Sequence, residues 1–327
     1  MRRVVVAYDG GSETSLAIPW LLDGRNDGRG PTEVVALILD VGRGAALVEV
    51  RERALALGAV RCHVIDAREE FARDYVLPAL HAGTFDPGRS PQFATLVHPL
   101  LAKTLVDVAR MEHAGAIAVP AGRAAETTTI EALVQALDPS LDVLVPARLW
   151  KMSADAFAAY ARAHNVDVTA ATSGAPAVDA NVWGRTMTFD PAINPSDTSE
   201  NLYLITRSPE HAPDQPADLD IEFDGGVPVR VNGIDMTLLE MFESLEIIGG
   251  THGIGRTDVV TTVSDGRKRR EIAESPAAAI LGAARSALGA AMPTGSVRLR
   301  LFKGTCTVIE GGVSLHPAAS RATSANR

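Results

Sequence analysis

The most constraining feature of the sequence is its N-terminal stretch, where a β-branched run leads into two consecutive glycines. Residues 4–7 have the composition of a buried strand, and Gly10-Gly11 follows after two residues. Thr14 and Ser15 then open an apolar segment that ends at Leu22. The pattern predicts a strand, a tight turn and a helix start. Glycine can take a positive φ and let a ligand approach the backbone, so the turn is either a phosphate site or an ordinary strand–helix connection.

Apolar runs and helical patterns alternate through the first half of the chain. Residues 34–40, 60–65, 116–120 and 141–145 read as strands that are covered on both faces. Helical spacing lies between them, over residues 46–57, 71–81, 92–112 and 130–137. This order predicts an α/β fold with a parallel, Rossmann-like sheet, whose ligands bind outside the carboxyl ends of its strands. The Gly10-Gly11 turn follows the first strand, where that rule places a site.

The second half has a different pattern and predicts a separate α+β domain. A helix over residues 154–164 marks the boundary, and extended structure resumes at residues 166–168. Short alternating runs follow at residues 202–206, 219–223 and 227–231, with helices at 238–245 and 277–291 and a hairpin at 297–309. We therefore divide the chain into a nucleotide-binding domain (1–165), a second domain (166–318) and a disordered tail (319–327).

Composition limits the classes of partner and the compartment. The net charge of −9 argues against a nucleic-acid surface. Cys62 and Cys306 lie far apart in apolar runs, which predicts two reduced, buried thiols in a cytoplasmic protein. No apolar run reaches membrane-spanning length and no signal sequence precedes the first strand, so we expect no membrane association. The eight histidines show no metal-ligand spacing.

The glycine turn resembles the pyrophosphate-binding loop of the argininosuccinate synthase family. The members of this family are ATP-pyrophosphatase-type ligases. The family loop is Ala-Tyr-Ser-Gly-Gly-Leu-Asp-Thr-Ser. Here it is Ala7, Tyr8, Asp9, Gly10, Gly11, Ser12, Glu13, Thr14 and Ser15. Similar collinear stretches occur at residues 40–43, 68–75, 99–103, 179–181, 248–256 and 301–304. The resemblance covers nearly the whole chain.

This resemblance implies an ATP-binding domain followed by a synthetase domain, and a cytoplasmic enzyme of arginine and amino-acid biosynthesis. It also implies ATP and Mg²⁺ as cofactors and amino acids as substrates. In the family reaction, ATP adenylates the ureido oxygen of citrulline and releases pyrophosphate. The amine of aspartate then displaces AMP and forms the new carbon–nitrogen bond. The nine loop residues Ala7 to Ser15 are the cofactor-binding candidates.

Asp9 is the main departure within the loop, because it places a carboxylate where the family has a serine. Two like charges about 4 Å apart repel by roughly 4 kcal/mol at an effective dielectric constant near 20. The alternative is a metal ion shared by Asp9, Glu13 and the phosphates. Pro19 is tolerated only near a helix start, so we expect the helix to begin near Ser15 rather than Ser12. Thr14 and Ser15 are then either phosphate ligands or simple caps of that helix.

The remaining substrate-binding positions of the family are largely replaced. Glu126 stands for an aspartate, Thr129 for the citrulline-binding arginine, and Arg123 is the only cation expected nearby. Thr95 and Thr186 alone keep a hydroxyl among the citrulline positions. The weak substrate-binding candidates are therefore Thr95, Glu126 and Thr186. The other matches to the family are read as structural hydrogen-bonding residues: Asp179, Asn181, Arg256, Lys268, Arg270 and Glu274.

Compared with the family it resembles, the sequence lacks two long segments, a helical excursion between Ala291 and Ser296 and a C-terminal arm after Leu315. We therefore expect a homodimer or a monomer rather than the family tetramer. Three functions stay open. The chain is a carbon–nitrogen ligase with an altered substrate or strongly impaired activity, an inactive paralogue that binds or regulates a partner, or an argininosuccinate synthase with unusual residues.

Overall fold

The structure is a computed structural model that describes residues 2–24, 32–42, 46–83, 93–121, 124–150, 152–168, 176–192, 199–262, 268–289 and 294–313. The predicted tail at 319–327 and the expected cation Arg123 lie outside these ranges. The side chain of Glu126 is also outside the description, although its backbone belongs to a helix. None of the described helices is both long and apolar enough to cross a bilayer.

The first half of the chain forms the predicted parallel sheet. Its five strands are β1 (Arg2–Ala7), β2 (Thr32–Asp40), β3 (Arg61–Asp66), β4 (Ala116–Ala118) and β5 (Asp142–Leu144). They lie in the order β3-β2-β1-β4-β5, and every neighbouring pair is parallel. The strand order reverses at β1, which opens a crevice beyond its carboxyl end. The sheet therefore positions the glycine turn at the crevice.

Helices cover both faces of this sheet. They are α1 (Ser12–Leu22), α2 (Leu47–Ala56), α3 (Arg68–Phe71), α4 (Leu77–His81), α5 (Phe93–Met111), α6 (Ala124–Leu137), α7 (Pro146–Leu149) and α8 (Ala154–Ala163). A π-helical stretch, Ala72–Val76, joins α3 directly to α4. The helix predicted from residue 71 thus begins three residues earlier.

The prediction that α1 starts near Ser15 is wrong. The amide of Ser15 donates to the carbonyl of Gly11 at 2.9 Å, so the helix begins at Ser12 and contains Pro19. Pro19 removes only the hydrogen bond to the carbonyl of Ser15. Burial of α1 from Thr14 to Leu21 offsets that loss, since each large apolar side chain buried contributes about 1.5–3 kcal/mol.

The second half contains two antiparallel sheets. The four-stranded sheet has the order β11-β12-β7-β6, and the five-stranded sheet has the order β10-β9-β8-β13-β14. The first sheet consists of β6 (Ala177–Asn181), β7 (Gly184–Phe189), β11 (Arg256–Thr262) and β12 (Lys268–Glu274). The second consists of β8 (Ala217–Asp224), β9 (Val227–Val231), β10 (Ile234–Asp235), β13 (Gly295–Phe302) and β14 (Thr305–Val313). Two helices accompany them, α9 (Leu238–Thr251) and α10 (Pro276–Leu288). The predicted α+β architecture and the β13–β14 hairpin are confirmed.

The extended run predicted at residues 202–206 does not form a strand. Ser199–Leu202 is a short 3₁₀ helix. The buried carboxylate of Glu274 accepts hydrogen bonds from the amides of Leu204, Ile205 and Thr206 at 2.8–2.9 Å. Those amides are satisfied by a side chain rather than by a neighbouring strand, which is why the apolar pattern misled the prediction.

One hydrophobic cluster joins the two halves. It contains Val41 and Phe71 from the first half and Trp183 and Phe242 from the second. The rings of Trp183 and Phe242 meet edge to face, with centroids 4.7 Å apart. The amide of Val182 also donates to the carbonyl of Val41 at 2.7 Å, just beyond β2. The second domain is therefore anchored beside the carboxyl ends of the parallel strands.

Candidate functional site

The turn between β1 and α1 depends on one glycine in particular. Gly10 has φ +82°, and a Cβ there would lie 3.0 Å from Cγ1 of Val50 on α2. Gly11 has φ −66°, which any residue can adopt. The sequence allowed a positive φ at either glycine, and Gly10 is the one that adopts it. Close packing against α2 and a left-handed conformation together explain why this position is glycine.

The side chain of Asp9 forms hydrogen bonds within the turn. Its Oδ1 accepts a hydrogen bond from the amide of Gly11 at 2.8 Å and another from Oγ1 of Thr14 at 2.6 Å. A Cβ at Gly11 would lie 3.0 Å from the same oxygen. In a phosphate-binding loop these donors would face the ligand. Here the carboxylate of the chain itself occupies them.

Glu13 adds a second carboxylate to the site. Its Oε1 accepts a hydrogen bond from the amide of Ala121, in the segment after β4. Burial raises the pKa of Glu13 above its ordinary value, the Ala121 hydrogen bond opposes that shift, and the charge of Asp9 adds to it. Nowhere in the described ranges do three His, Cys, Asp or Glu side chains form a group that could hold a metal ion. A metal bridge between Asp9 and Glu13 thus stays a hypothesis from the sequence.

The hydroxyl residues of the turn face the protein interior. Tyr8 is 3% exposed, and its hydroxyl lies 3.1 Å from Oγ of the buried Ser15. Burial raises the pKa of Tyr8. Gly11 is the N-cap of α1, and no side chain caps the helix. The capping role suggested for Thr14 and Ser15 is therefore wrong, because Thr14 contacts Asp9 and Ser15 contacts Tyr8. Ser12 is half-buried at the first position of α1.

Arg53 is a residue of the site that sequence reasoning missed. Its Nη1 donates to the carbonyl of Gly10 at 3.1 Å, across 43 positions of sequence. Val50, which packs on Gly10, lies one turn earlier on the same face of α2. That i, i+3 pair of a valine and an arginine is the only local signal.

A cleft opens beside the turn, between β1, β2 and α5. About 100 Å³ of its interior is open to a water-sized molecule, and the wider space of about 490 Å³ includes open solvent at its mouth. The enclosed part is smaller than a typical site for a drug-sized ligand, so it suits a small apolar group. Aliphatic side chains form most of its wall, and Tyr8 and Asp9 supply the polar groups. The lining residues are Ala7, Tyr8, Asp9, Leu37, Leu39, Val41, Val97, Leu101 and Pro120. The arrangement suits a ligand with an apolar body.

The three weak substrate-binding candidates lie on separate elements. Thr95 is exposed in the first turn of α5, two positions before the cleft residue Val97. Thr186 is 4% exposed in the middle of β7, where it pairs with Asp179 and Ala273. The backbone of Glu126 lies in α6. Thr186 is buried, whereas the carboxylate of Asp9 is exposed.

Several residues that match the family have structural partners. Arg256 pairs with Glu200 at 3.0 Å and lies 3.7 Å above the ring of Tyr203. Arg270 hydrogen-bonds Asp258 at 2.9 Å. The amide of Trp183 donates to Oδ1 of Asn181 at 2.8 Å. Glu274 pairs with Arg185 at 3.0 Å. These contacts support the structural role that the sequence suggested for them.

Comparison with known protein families gives a match to both halves. The sequence model described as "Arginosuccinate synthase N-terminal HUP domain" matches residues 3–167. The model described as "Arginosuccinate synthase C-terminal domain" matches residues 177–294. Together they span the parallel sheet, the turn described above and the antiparallel strands from β6 to β12, and they end before β13 and β14.

Curated relatives give the same result over most of the chain. A protein of Streptococcus suis (strain 05ZYH33) named argininosuccinate synthase is 39% identical over 281 residues, covering 85% of this chain and 69% of the relative. The protein of that name from Streptococcus thermophilus (strain LMD-9) gives the same values. That of Listeria monocytogenes serotype 4a (strain HCC23) is 40% identical over 281 residues, 85% of this chain and 68% of its own.

Proposed function

Since the chain belongs to the argininosuccinate synthase family, we propose that it keeps the ligase scaffold of that family but forms argininosuccinate from citrulline, aspartate and ATP only at a strongly reduced rate. The hydrogen bonds of Asp9 to Gly11 and Thr14 carry this proposal. Family membership implies ATP, but the loop donors that would hold its phosphates already have an anionic acceptor. The turn as arranged does not fit a triphosphate.

The energetic balance supports the proposal. Displacing Asp9 leaves a carboxylate close to an incoming phosphate, with a repulsion of roughly 4 kcal/mol per unit pair at about 4 Å. The hydroxyl of the family serine would instead contribute about 1 kcal/mol of hydrogen bonding. Arg53, which donates to the Gly10 carbonyl, offers one positive charge beside the two carboxyl groups of Asp9 and Glu13.

The direct test is product formation. We expect argininosuccinate, followed by mass spectrometry, to form from citrulline, aspartate and MgATP at less than about one tenth of the rate of the Streptococcus suis relative under the same conditions. A rate within about tenfold of that relative would overturn the proposal. Replacing citrulline with other ureido or carboxylate compounds in the same assay tests the altered-substrate form of the ligase.

A second candidate function is a non-catalytic binding protein, and the apolar cleft beside β1 favours it. Calorimetry with MgATP separates the two. Measurable binding supports an impaired or redirected ligase, and absence of heat together with an unchanged melting temperature supports the binding protein. We also propose a cytoplasmic location, a division into two domains at residue 165 and a homodimeric assembly. Light scattering after size-exclusion chromatography measures the oligomeric state.

A further inference from the structure

The cleft beside β1 combines a mainly aliphatic lining with a carboxylate. Leu37, Leu39 and Val41 of the β2 side face Val97 and Leu101 of α5 across it. Burying apolar ligand surface against such a wall contributes roughly 25 cal/mol per Å². Among the described residues that line the cleft, Asp9 alone carries a charge. The ligand body is therefore apolar, and its polar end meets a carboxylate.

The charge of Asp9 is not neutralised by a cation in the part of the chain that the structure describes. Its Oδ1 is bonded to the Gly11 amide and to Thr14, both of them uncharged donors. Arg53, the described cation that bonds the turn, donates to the carbonyl of Gly10 and does not line the cleft. Glu13 adds a second negative charge close enough to interact with Asp9. The described side chains therefore make the mouth of the cleft electronegative.

We propose that this cleft binds an organic cation, with its ammonium or guanidinium group at Asp9 and its apolar body against Leu37, Leu39 and Leu101. A charged hydrogen bond between an ammonium group and a carboxylate is among the stronger polar contacts in proteins. The same carboxylate repels phosphates and carboxylates, so it selects by charge as well as by shape. The proposal rests on the proposed function, because a triphosphate held in the turn would occupy the position of the cation.

Three probes with one phenyl body and different charges test this selectivity. They are 2-phenylethylamine, 2-phenylethanol and 3-phenylpropionate, titrated by calorimetry at low ionic strength. We expect the amine to bind about tenfold more tightly than the alcohol, and the carboxylate to bind more weakly than both. Raising the salt to about 0.5 M is expected to reduce the advantage of the amine. Equal binding of amine and alcohol, or no binding of the amine at about 10 mM, overturns the proposal.

Asp9→Asn is the decisive variant, because asparagine can still accept the hydrogen bonds from Gly11 and Thr14 while the charge is lost. We expect it to bring the affinities for amine and alcohol within about twofold of each other. Asp155→Asn, an exposed position in the first turn of α8, is the matched control and is expected to keep the wild-type ratio. Val97→Phe, which fills the cleft, is expected to weaken all three probes.

An unchanged amine preference in Asp9→Asn contradicts the proposal. The outcome is separable from that of the proposed function. Argininosuccinate formation within about tenfold of the rate of the Streptococcus suis relative refutes the proposed function, whereas a low rate without amine selectivity refutes only the cation site.

Discussion

At the scale of single residues, the turn is defined by what its side chains do to its own backbone. A serine in place of Asp9 would offer a donor to an anion. The carboxylate instead accepts the amide of Gly11 and the hydroxyl of Thr14. These two donors of the turn therefore have a hydrogen-bond acceptor without a ligand. We propose that this one substitution lowers the affinity of the turn for phosphate, because the donors already have an anionic acceptor.

Gly10→Ala tests how far that geometry depends on one residue. The new Cβ would adopt a left-handed φ, at a cost of roughly 1–2 kcal/mol, and would press on Val50 at 3.0 Å. Gly225→Ala is the control, because Gly225 has φ +55° but open space around it. We expect a larger loss of unfolding free energy for Gly10→Ala than for Gly225→Ala in urea titrations. Equal losses would show that packing against α2 contributes nothing.

The sequence predicted the position of this site better than its contacts. A β-branched run followed by two glycines located the turn, since strand and helix patterns are local. The bond from Asp9 to Gly11 depends on turn geometry, and that from Arg53 to Gly10 depends on how α2 packs. The start of α1 was misjudged because local proline rules ignore the burial of the helix. Such contacts between distant segments leave no periodic signal in the sequence.

At the scale of elements, one buried carboxylate after α5 forms ion pairs with residues of two strands. Glu112, which follows α5, has a side chain that is 2% exposed. It meets Nη1 of Arg3 on β1 at 3.1 Å and Nε2 of His63 on β3 at 2.7 Å. Burial alone would raise the pKa of Glu112, but the hydrogen bonds from His63 and Arg61 outweigh it and lower the pKa. The cluster ties the amino ends of two strands to α5, opposite the glycine turn.

This cluster predicts a pH dependence. Because the folded state lowers the pKa of Glu112 below its ordinary 4.5, its stabilisation is fully present above that value and is lost as pH falls through the folded-state pKa. We expect Glu112→Gln to lower the melting temperature at pH 7, since removing one partner of a buried pair costs about 3–5 kcal/mol. The difference from wild type is expected to shrink toward pH 3. Glu310→Gln, at an exposed position, is the control. A difference that is constant with pH would contradict this role.

At the scale of the whole molecule, the two halves share one hydrophobic cluster. Val41 and Phe71 of the first half contact the same cluster as Trp183 and Phe242 of the second. The sequence predicted the parallel sheet, because its unalternating runs are typical of strands covered on both faces. It gave no sign of β6, β7, β11 and β12, whose polar residues find partners on neighbouring strands, as Arg270 of β12 does with Asp258 of β11. The sequence also gave no indication that the two halves share a hydrophobic cluster.

The shared cluster predicts cooperative unfolding. Calorimetric scans of the wild-type chain are expected to show one transition for both halves. Trp183→Ala is expected to cost about 3–5 kcal/mol and to lower or split that transition, because Trp183 is 1% exposed between them. Trp150→Ala, at a half-buried position outside this cluster, is expected to cost less. Two separate transitions in the wild-type chain would contradict a shared core.

The most direct test of the central claim is calorimetric titration of MgATP into the wild-type chain and Asp9→Ser, with melting temperatures confirming that both are folded. Serine removes the charge and releases the amide of Gly11. We predict that the wild-type chain binds weakly and that Asp9→Ser binds at least about tenfold more tightly, as relief of even a fraction of the like-charge repulsion would give. Unchanged or weaker binding in Asp9→Ser would contradict the claim that Asp9 closes the turn to phosphate.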